Sequence, residues 1–272
     1  MKFFLSMILV IVMICSLSVV CYGASLEDNT PIENSGVLLN DPTLTKDQIK
    51  KNKDEADRKD SKFAQRALVE VSSLSSDPDG EGYFINVTNF AQETTYWCGP
   101  ASARQTLSYH KVKSGSSTSL PSQTTLASKA GTTTDGSSTS GLRNALNYYS
   151  SIYNFSSDLY VVGDISSYSN PVGTLETRIK NDLKYATNAP ILLVQTLYLP
   201  RYNGKSIRHY NTVSGYSYEY ASGNKEIRMV DPHYSSTYQG VFWDPLGSTT
   251  VNGVGRAVYK ADLEGTNYVM CY

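Results

Sequence analysis

Gln92-Glu93-Thr94-Thr95-Tyr96-Trp97-Cys98-Gly99-Pro100-Ala101-Ser102-Ala103 is the stretch on which the reading of this chain turns. An irregular approach gives way to a helix at the cysteine. Gly99 lets the backbone turn closely, Pro100 is tolerated in a first helical turn, and Ala103 and Leu107 recur at helical spacing. A thiol in that place is not an ordinary thiol. A helix N-terminus carries partial positive charge and unpaired N–H groups, which favour the nucleophilic thiolate over the thiol. The same N–H groups can receive the oxyanion that forms when a thiolate attacks a carbonyl. Gln92, six positions upstream, offers a side-chain amide as a second oxyanion donor. The residue types are those of a cysteine nucleophile that needs a base. The competing use of a lone cysteine is as a small buried hydrophobe, so a partner histidine has to decide between them.

A partner follows much later. Ser206 to Tyr216 is extended and alternating, Ser222-Gly223-Asn224 is a turn, and Glu226 to Pro232 is a second strand. The pair reads as an antiparallel hairpin. Folding back near residues 220–223 brings Asp231 opposite residues near Asn211. His209 and Asp231 then become direct or diagonal cross-strand neighbours, roughly 5–8 Å apart at the backbone, if they share a face. A carboxylate there accepts the imidazole N–H, fixes its tautomer and supports the imidazolium. Pro232 ends the strand and leaves Asp231 at the sheet margin.

Other groups are weaker candidates. His110 shares a helix with Cys98 but lies roughly 18 Å along its axis, and reads as a packing or surface residue. His233, beyond Pro232, reads as a loop residue. Asp244-Pro245 resembles Asp231-Pro232 but stands far past His209. A zinc site from Cys98, His209 and Asp231 has no short ligand spacing behind it.

Gln92, Trp97-Cys98-Gly99-Pro100-Ala101, His209-Tyr210 with Val213 and Gly215-Tyr216, and Val230-Asp231-Pro232 resemble the motifs of one family. They are similar to those of the stand-alone relatives of the bacteriocin-processing, double-glycine leader peptidases, within the papain-like cysteine peptidases. The resemblance spans roughly residues 83–240. It implies an α+β papain-like fold, with a nucleophile helix packed on an antiparallel sheet that carries His and Asp. It implies Cys98 as nucleophile, His209 as general base and acid, Asp231 as orienter and Gln92 as oxyanion donor. No metal or organic cofactor is required for that chemistry. The family's best-known members are fused to export transporters, whereas this sequence shows no nucleotide-binding motif and has its own export signal.

That signal is the N-terminal stretch. Met1-Lys2, an apolar run to Cys15 and small residues near Gly23-Ala24 describe a secretory signal peptide over residues 1–23, with an uncleaved membrane anchor as the rival reading. Residues 24–80 are charged and polar, too poor in apolar residues for a core, and read as a pro-segment or spacer. Thr45 with Gln48 fits a capping box there, Leu44 with Ile49 a hydrophobic staple, and Phe63, Ala67, Val71 and Leu74 share a helical face. Asp77 to Gly82 is a turn cluster that marks the boundary, leaving residues 81–272 as the peptidase domain.

Of the 272 residues four are cysteines, and two of these, Cys15 and Cys21, fall within the signal. Cys98 and Cys271 are left; pairing them would remove the nucleophile. A formal net charge of -1 gives no electrostatic reason to expect nucleic acid as a partner. Tyr83 to Val87 reads as an opening strand and Cys98 to about His110 as a helix. Helices are expected at 122–130, 141–149 and 174–185, strands at 159–162 and 190–199, and 240–244 with 255–259 complete the sheet.

The function these readings predict is a secreted or cell-surface cysteine peptidase acting on a peptide or protein. The alternatives are an amidase or transferase acting on cell-wall peptides at the same site, and a catalytically silent wall- or partner-binding module.

Overall fold

A computed structural model describes residues 36–71 and 79–272, with the backbone alone for 67–71. The expected signal peptide, the anchor alternative and Leu74 lie outside the described residues.

Among the described residues six α-helices and seven strands run in the order α1 (Lys46–Val71), β1 (Gly80–Phe84), α2 (Cys98–Ser114), α3 (Gln123–Ala130), α4 (Thr139–Tyr148), β2 (Val162–Gly163), α5 (Pro171–Asn181), β3 (Ile191–Gln195), β4 (Arg208–Glu219), β5 (Lys225–Asp231), β6 (Gly240–Pro245), α6 (Val254–Leu263) and β7 (Met270–Cys271). All strand pairs are antiparallel, in the order β2-β7-β3-β4-β5-β6, with β1 added to the distal half of β4. The apolar run Ile191-Leu192-Leu193-Val194 is buried throughout, because α2 and α6 cover the centre of the sheet. This is the α+β arrangement that the sequence predicts.

Local chemistry explains most boundaries. Ser122 and Ser138 accept from Thr125 and Gly141 and so cap α3 and α4. The α2 helix outlasts the expected end at His110 and stops only where Gly115 takes a left-handed conformation. Gly99 has a specific reason: a Cβ there would stand 2.6 Å from Ser137 Oγ, so the start of α2 fits against the 132–139 loop only without a side chain.

Several expectations need correction. Gly80–Gly82, read as turn, are paired in β1 with Glu219–Ser217. Residues 255–259, read as sheet, lie in α6. Val254, Ala257, Val258 and Ala261 are its buried face, a helical spacing that a short apolar run conceals. On that side the sheet is instead continued beyond β3 by β7, whose Cys271 pairs with Ile191 and Val162, and β2 forms the edge. The strand expected at 159–162 shrinks to Val162–Gly163, and the one at 190–199 ends at Gln195, followed by tight turns at Thr196–Tyr198 and Pro200–Tyr202.

Residues 46–71 are docked through ion pairs. Lys59 meets buried Asp182 at 2.9 Å, and Asp60 meets buried Arg178 at 2.8 Å. The Thr45 cap is present, its Oγ1 accepting from the Gln48 N–H. Lys59 and Asp60 thus supply the countercharges that Asp182 and Arg178 need, since an unpaired buried charge is costly.

Gly99→Ala should lower stability by about 1–3 kcal/mol, the cost of forcing atoms into a filled core. A urea melt with unchanged slope but a lower midpoint is the expected reading; an unchanged midpoint would show that Ser137 gives way freely.

Candidate active site

The β4–β5 hairpin decides where the histidine and aspartate meet. Near the turn Tyr216 opposes Ile227 and Gly215 opposes Arg228, but further down Val213 opposes Met229 and Thr212 opposes Val230. Ser214 is one extra residue on β4, a β-bulge. The next step brings Asp231 level with Asn211, two residues from His209 and on the same face. Without the bulge Asp231 would come level with Thr212 and point to the opposite face. The bulge is held from both sides: the Ser214 carbonyl accepts from the Ile85 N–H at 2.8 Å, and its hydroxyl accepts from Arg228 Nη1 at 3.0 Å.

His209 Nε2 donates to Asp231 Oδ1 at 2.9 Å, with both side chains fully buried. The other ring nitrogen, Nδ1, has no nitrogen or oxygen partner, and the Cys98 side chain interacts with the ring. Burial opposes charging the ring, but Asp231 and then Cys98 outweigh it and raise the His209 pKa to about 9. The imidazolium is therefore the resting form at neutral pH. Cys98 opens α2, and no side chain caps that helix start.

Asp231 is held by more than histidine. Oδ1 also accepts from the His233 backbone N–H at 2.9 Å, while Oδ2 accepts from Tyr202 Oη at 2.7 Å and pairs with Arg201 Nη1 at 2.8 Å. Burial works against this carboxylate, yet His209, Arg201 and Tyr202 together hold its pKa at about 2. Arg201 in turn grips Asp244 through Nε at 2.9 Å, and burial raises the Asp244 pKa against that pull. Asp244 is thus the second carboxylate of Arg201. It has no bond to the histidine.

Gln92 sits on the same edge. Its backbone N–H donates to the Pro232 carbonyl at 2.6 Å, tying the glutamine loop to the strand end that bears Asp231. Its side-chain Nε2 donates to the Thr94 carbonyl at 2.8 Å, which leaves one amide hydrogen for another acceptor.

Residues 84–251 match the family model described as the peptidase C39-like family. The chain belongs to that family. Its structure is also similar to the peptidase domain of Streptococcus ComA, described as a bifunctional ABC transporter involved in quorum sensing. That likeness has 18% identity over 68% of this chain and 96% of that one, with a TM-score of 0.36. UfSP from C. elegans is similar at 12% identity over 74% of this chain and 36% of that one, with a TM-score of 0.44. No curated protein matches.

In this C39-like chain the structure brings together Cys98, His209 and Asp231, with Gln92 tied to the same strand end. Cys98 and Cys271 form no disulfide, and burial pushes the Cys271 thiol up to about 12. His110 is buried and bonded to Tyr160 Oη at 2.7 Å, its pKa lowered to about 3 by burial. His233 is buried too: its Nδ1 accepts from the Ser235 N–H, and burial with His209 nearby lowers its pKa to about 4. It is a neutral neighbour that serves Asp231 through its backbone. Arg201 and Tyr202 carry no signal in the sequence, because a lone Pro-Arg-Tyr after a strand gives no hint of a long-range carboxylate.

Because its folded pKa lies above the unfolded value near 6.5, His209 contributes stability that is present below that value and lost as pH rises through about 9. Urea midpoints should fall across this window. Asp231→Asn should flatten the fall and bring the ring titration, followed by NMR, down well below 9; an unmoved titration would remove Asp231 as its cause. Arg201→Leu, which leaves buried Asp244 without its guanidinium partner and takes one of two cationic partners from Asp231, should cost about 3–5 kcal/mol. Adding Asp244→Asn should recover part of that loss in the same denaturation assay.

Proposed function

We propose that this protein is an exported cysteine peptidase that hydrolyses peptide bonds through Cys98, His209 and Asp231, with Gln92 as oxyanion donor. One observation carries the reading: an imidazole held by a buried carboxylate at 2.9 Å also interacts with a cysteine at an uncapped helix start. Membership of the peptidase C39-like family supports it. Export rests on the signal-like residues 1–23.

Each group has a step. The Cys98 sulfur attacks the carbonyl carbon of the peptide. The carbonyl oxygen becomes an oxyanion, received by N–H groups at the α2 start and by the second amide hydrogen of Gln92. As the tetrahedral species collapses, His209 gives its Nδ1 proton to the leaving amine, and the C–N bond breaks. This leaves an acyl group on sulfur. A water then loses a proton to the now neutral His209 and attacks the thioester, releasing the acid and restoring the thiolate–imidazolium pair. Asp231 keeps Nε2 occupied throughout, so that Nδ1 is the nitrogen that exchanges protons.

The test is hydrolysis of peptide libraries and casein, set against peptidoglycan fragments, by the secreted form. Cys98→Ala should abolish turnover, whereas Gln92→Ala should reduce kcat by about 10²–10³-fold. Asp231→Asn should cost less than Cys98→Ala, since an orienter tunes what the nucleophile performs. Turnover that survives Cys98→Ala would overturn the reading, and cleavage confined to wall fragments would replace it with cell-wall amidase chemistry.

A further inference from the structure

A cleft of about 680 Å³ lies between α1, the end of α4 and residues 156–161, within the roughly 300–1,000 Å³ range of ligand sites. Cys98, His209, Asp231 and Gln92 are not among its lining residues. Five cations line it, Lys51, Arg58, Lys59, Lys62 and Arg143, against two carboxylates, Glu55 and Asp158. Positions 51, 55, 58, 59 and 62 recur three and four residues apart and so share one face of α1. The excess of positive charge belongs to that face alone. Off the cleft, the described side chains of α1 carry four cations and four aspartates, and Lys53 pairs with Asp57 at 2.7 Å.

Some of the cleft cations are already used. Lys59 answers Asp182, and Arg143 Nη1 donates to Asn52 Oδ1 at 2.7 Å and to Glu55 Oε2 at 3.4 Å. Lys51 meets Glu55 only at 3.9 Å. Arg58 and Lys62 are exposed and have no hydrogen bond or ion pair among the described residues. The anion nearest to balancing them is Asp158 on the opposite wall, whose pKa is held down first by the Ser156 hydroxyl and then by Lys62 and Arg58. A further cation stands at the rim, where Lys129 Nζ lies 3.2 Å from the ring centre of Tyr148.

The acceptors of the opposite wall are engaged too. The carbonyls of Leu159, Tyr160 and Val161 accept from Lys59 Nζ, Asn147 Nδ2 and the Tyr272 N–H. A ligand that brings its own N–H donors, as an acidic peptide does, meets a wall whose main-chain acceptors already have partners. A ligand that only accepts hydrogen bonds and carries negative charge meets free lysine and arginine donors. Lys51 and Lys62 are eleven residues apart, about 16 Å along the helix axis, a row longer than one phosphate group.

We propose that this cleft binds a chain of phosphate groups, with Lys51, Arg58 and Lys62 as its contacts along α1. The inference goes beyond the peptidase reading and stands without it. Because no catalytic residue lines the cleft, a polymer held there leaves the Cys98 site open to a different ligand.

The test titrates the full chain with fluorescently labelled linear polyphosphate, read by anisotropy at about 50 and 200 mM salt. Arg58→Gln/Lys62→Gln should weaken binding about tenfold or more and flatten the slope of log Kd against log salt by about 1–2, since each lost phosphate contact removes counterion release. Lys46→Gln/Lys50→Gln takes the same charge from α1 off the cleft and should leave Kd within about twofold. All four residues are exposed, so both variants should keep the parent's urea midpoint. Equal weakening in the two variants overturns the proposal, as does polyphosphate left unbound by the parent at the lower salt. Poly-glutamate of equal charge should bind far more weakly; equal binding overturns the phosphate assignment. Orthophosphate should compete only at much higher total phosphate, and competition at equal phosphate overturns the chain in favour of a single group. Cys98→Ala should bind polyphosphate as the parent does, whereas a loss would show that the cleft is not a separate site.

Discussion

A buried carboxylate is the constraint around which this molecule is organised. Asp231 has no solvent access, and an isolated ionised carboxylate in such a place would take up a proton. It stays charged because four donors converge on its two oxygens: the His209 ring, the His233 backbone, the Tyr202 hydroxyl and the Arg201 guanidinium. These come from β4, the residues just after β5, and the turn that follows β3, so the folding of three separate segments is needed before the charge is tolerable. A permanent negative charge then keeps the histidine protonated beside the cysteine.

The Ser214 bulge gives this chemistry its geometry. A regular hairpin would place Asp231 on the face away from His209; a single unpaired residue reverses that. Gly215 belongs to the same device. Its missing side chain leaves room for Phe84, whose Cβ would lie 2.8 Å from an added Cβ, and so lets β1 close over the bulge. The Ile85 N–H from the end of β1 then bonds the bulged residue itself. The opening strand thus helps to set which way a histidine and an aspartate look.

Charge also binds the N-terminal region to the rest. Arg178 is almost wholly buried, and Asp60 of α1 is its carboxylate partner; Lys59 plays the converse part for Asp182. The Gly36–Leu38 stretch is held differently, by backbone bonds to Ser137, by the Asn267 side chain and by the buried Val37 side chain. One polar segment thus contains a part fixed by buried ion pairs and a part held by hydrogen bonds and one buried apolar side chain.

The sequence by itself determined the pieces whose causes are local. A cysteine before Gly-Pro and a helical apolar period defined α2, alternation and a turn defined the β4–β5 hairpin, and the order Gln92, Cys98, His209, Asp231 carried the family resemblance. It misread residues 255–259, where five residues are too few to separate a helical from a strand period, and it trimmed α2, whose true stop is the left-handed Gly115. Only the tertiary structure decided the rest. Whether His209 and Asp231 share a face depended on one residue's slip in register, and the roles of Arg201, Tyr202 and Asp244 depended on contacts across 10 to 43 positions of chain. Periodicity reports on neighbours three, four or two residues apart. A buried charge is satisfied by whatever donors the completed fold brings to it, and no local pattern records which those will be.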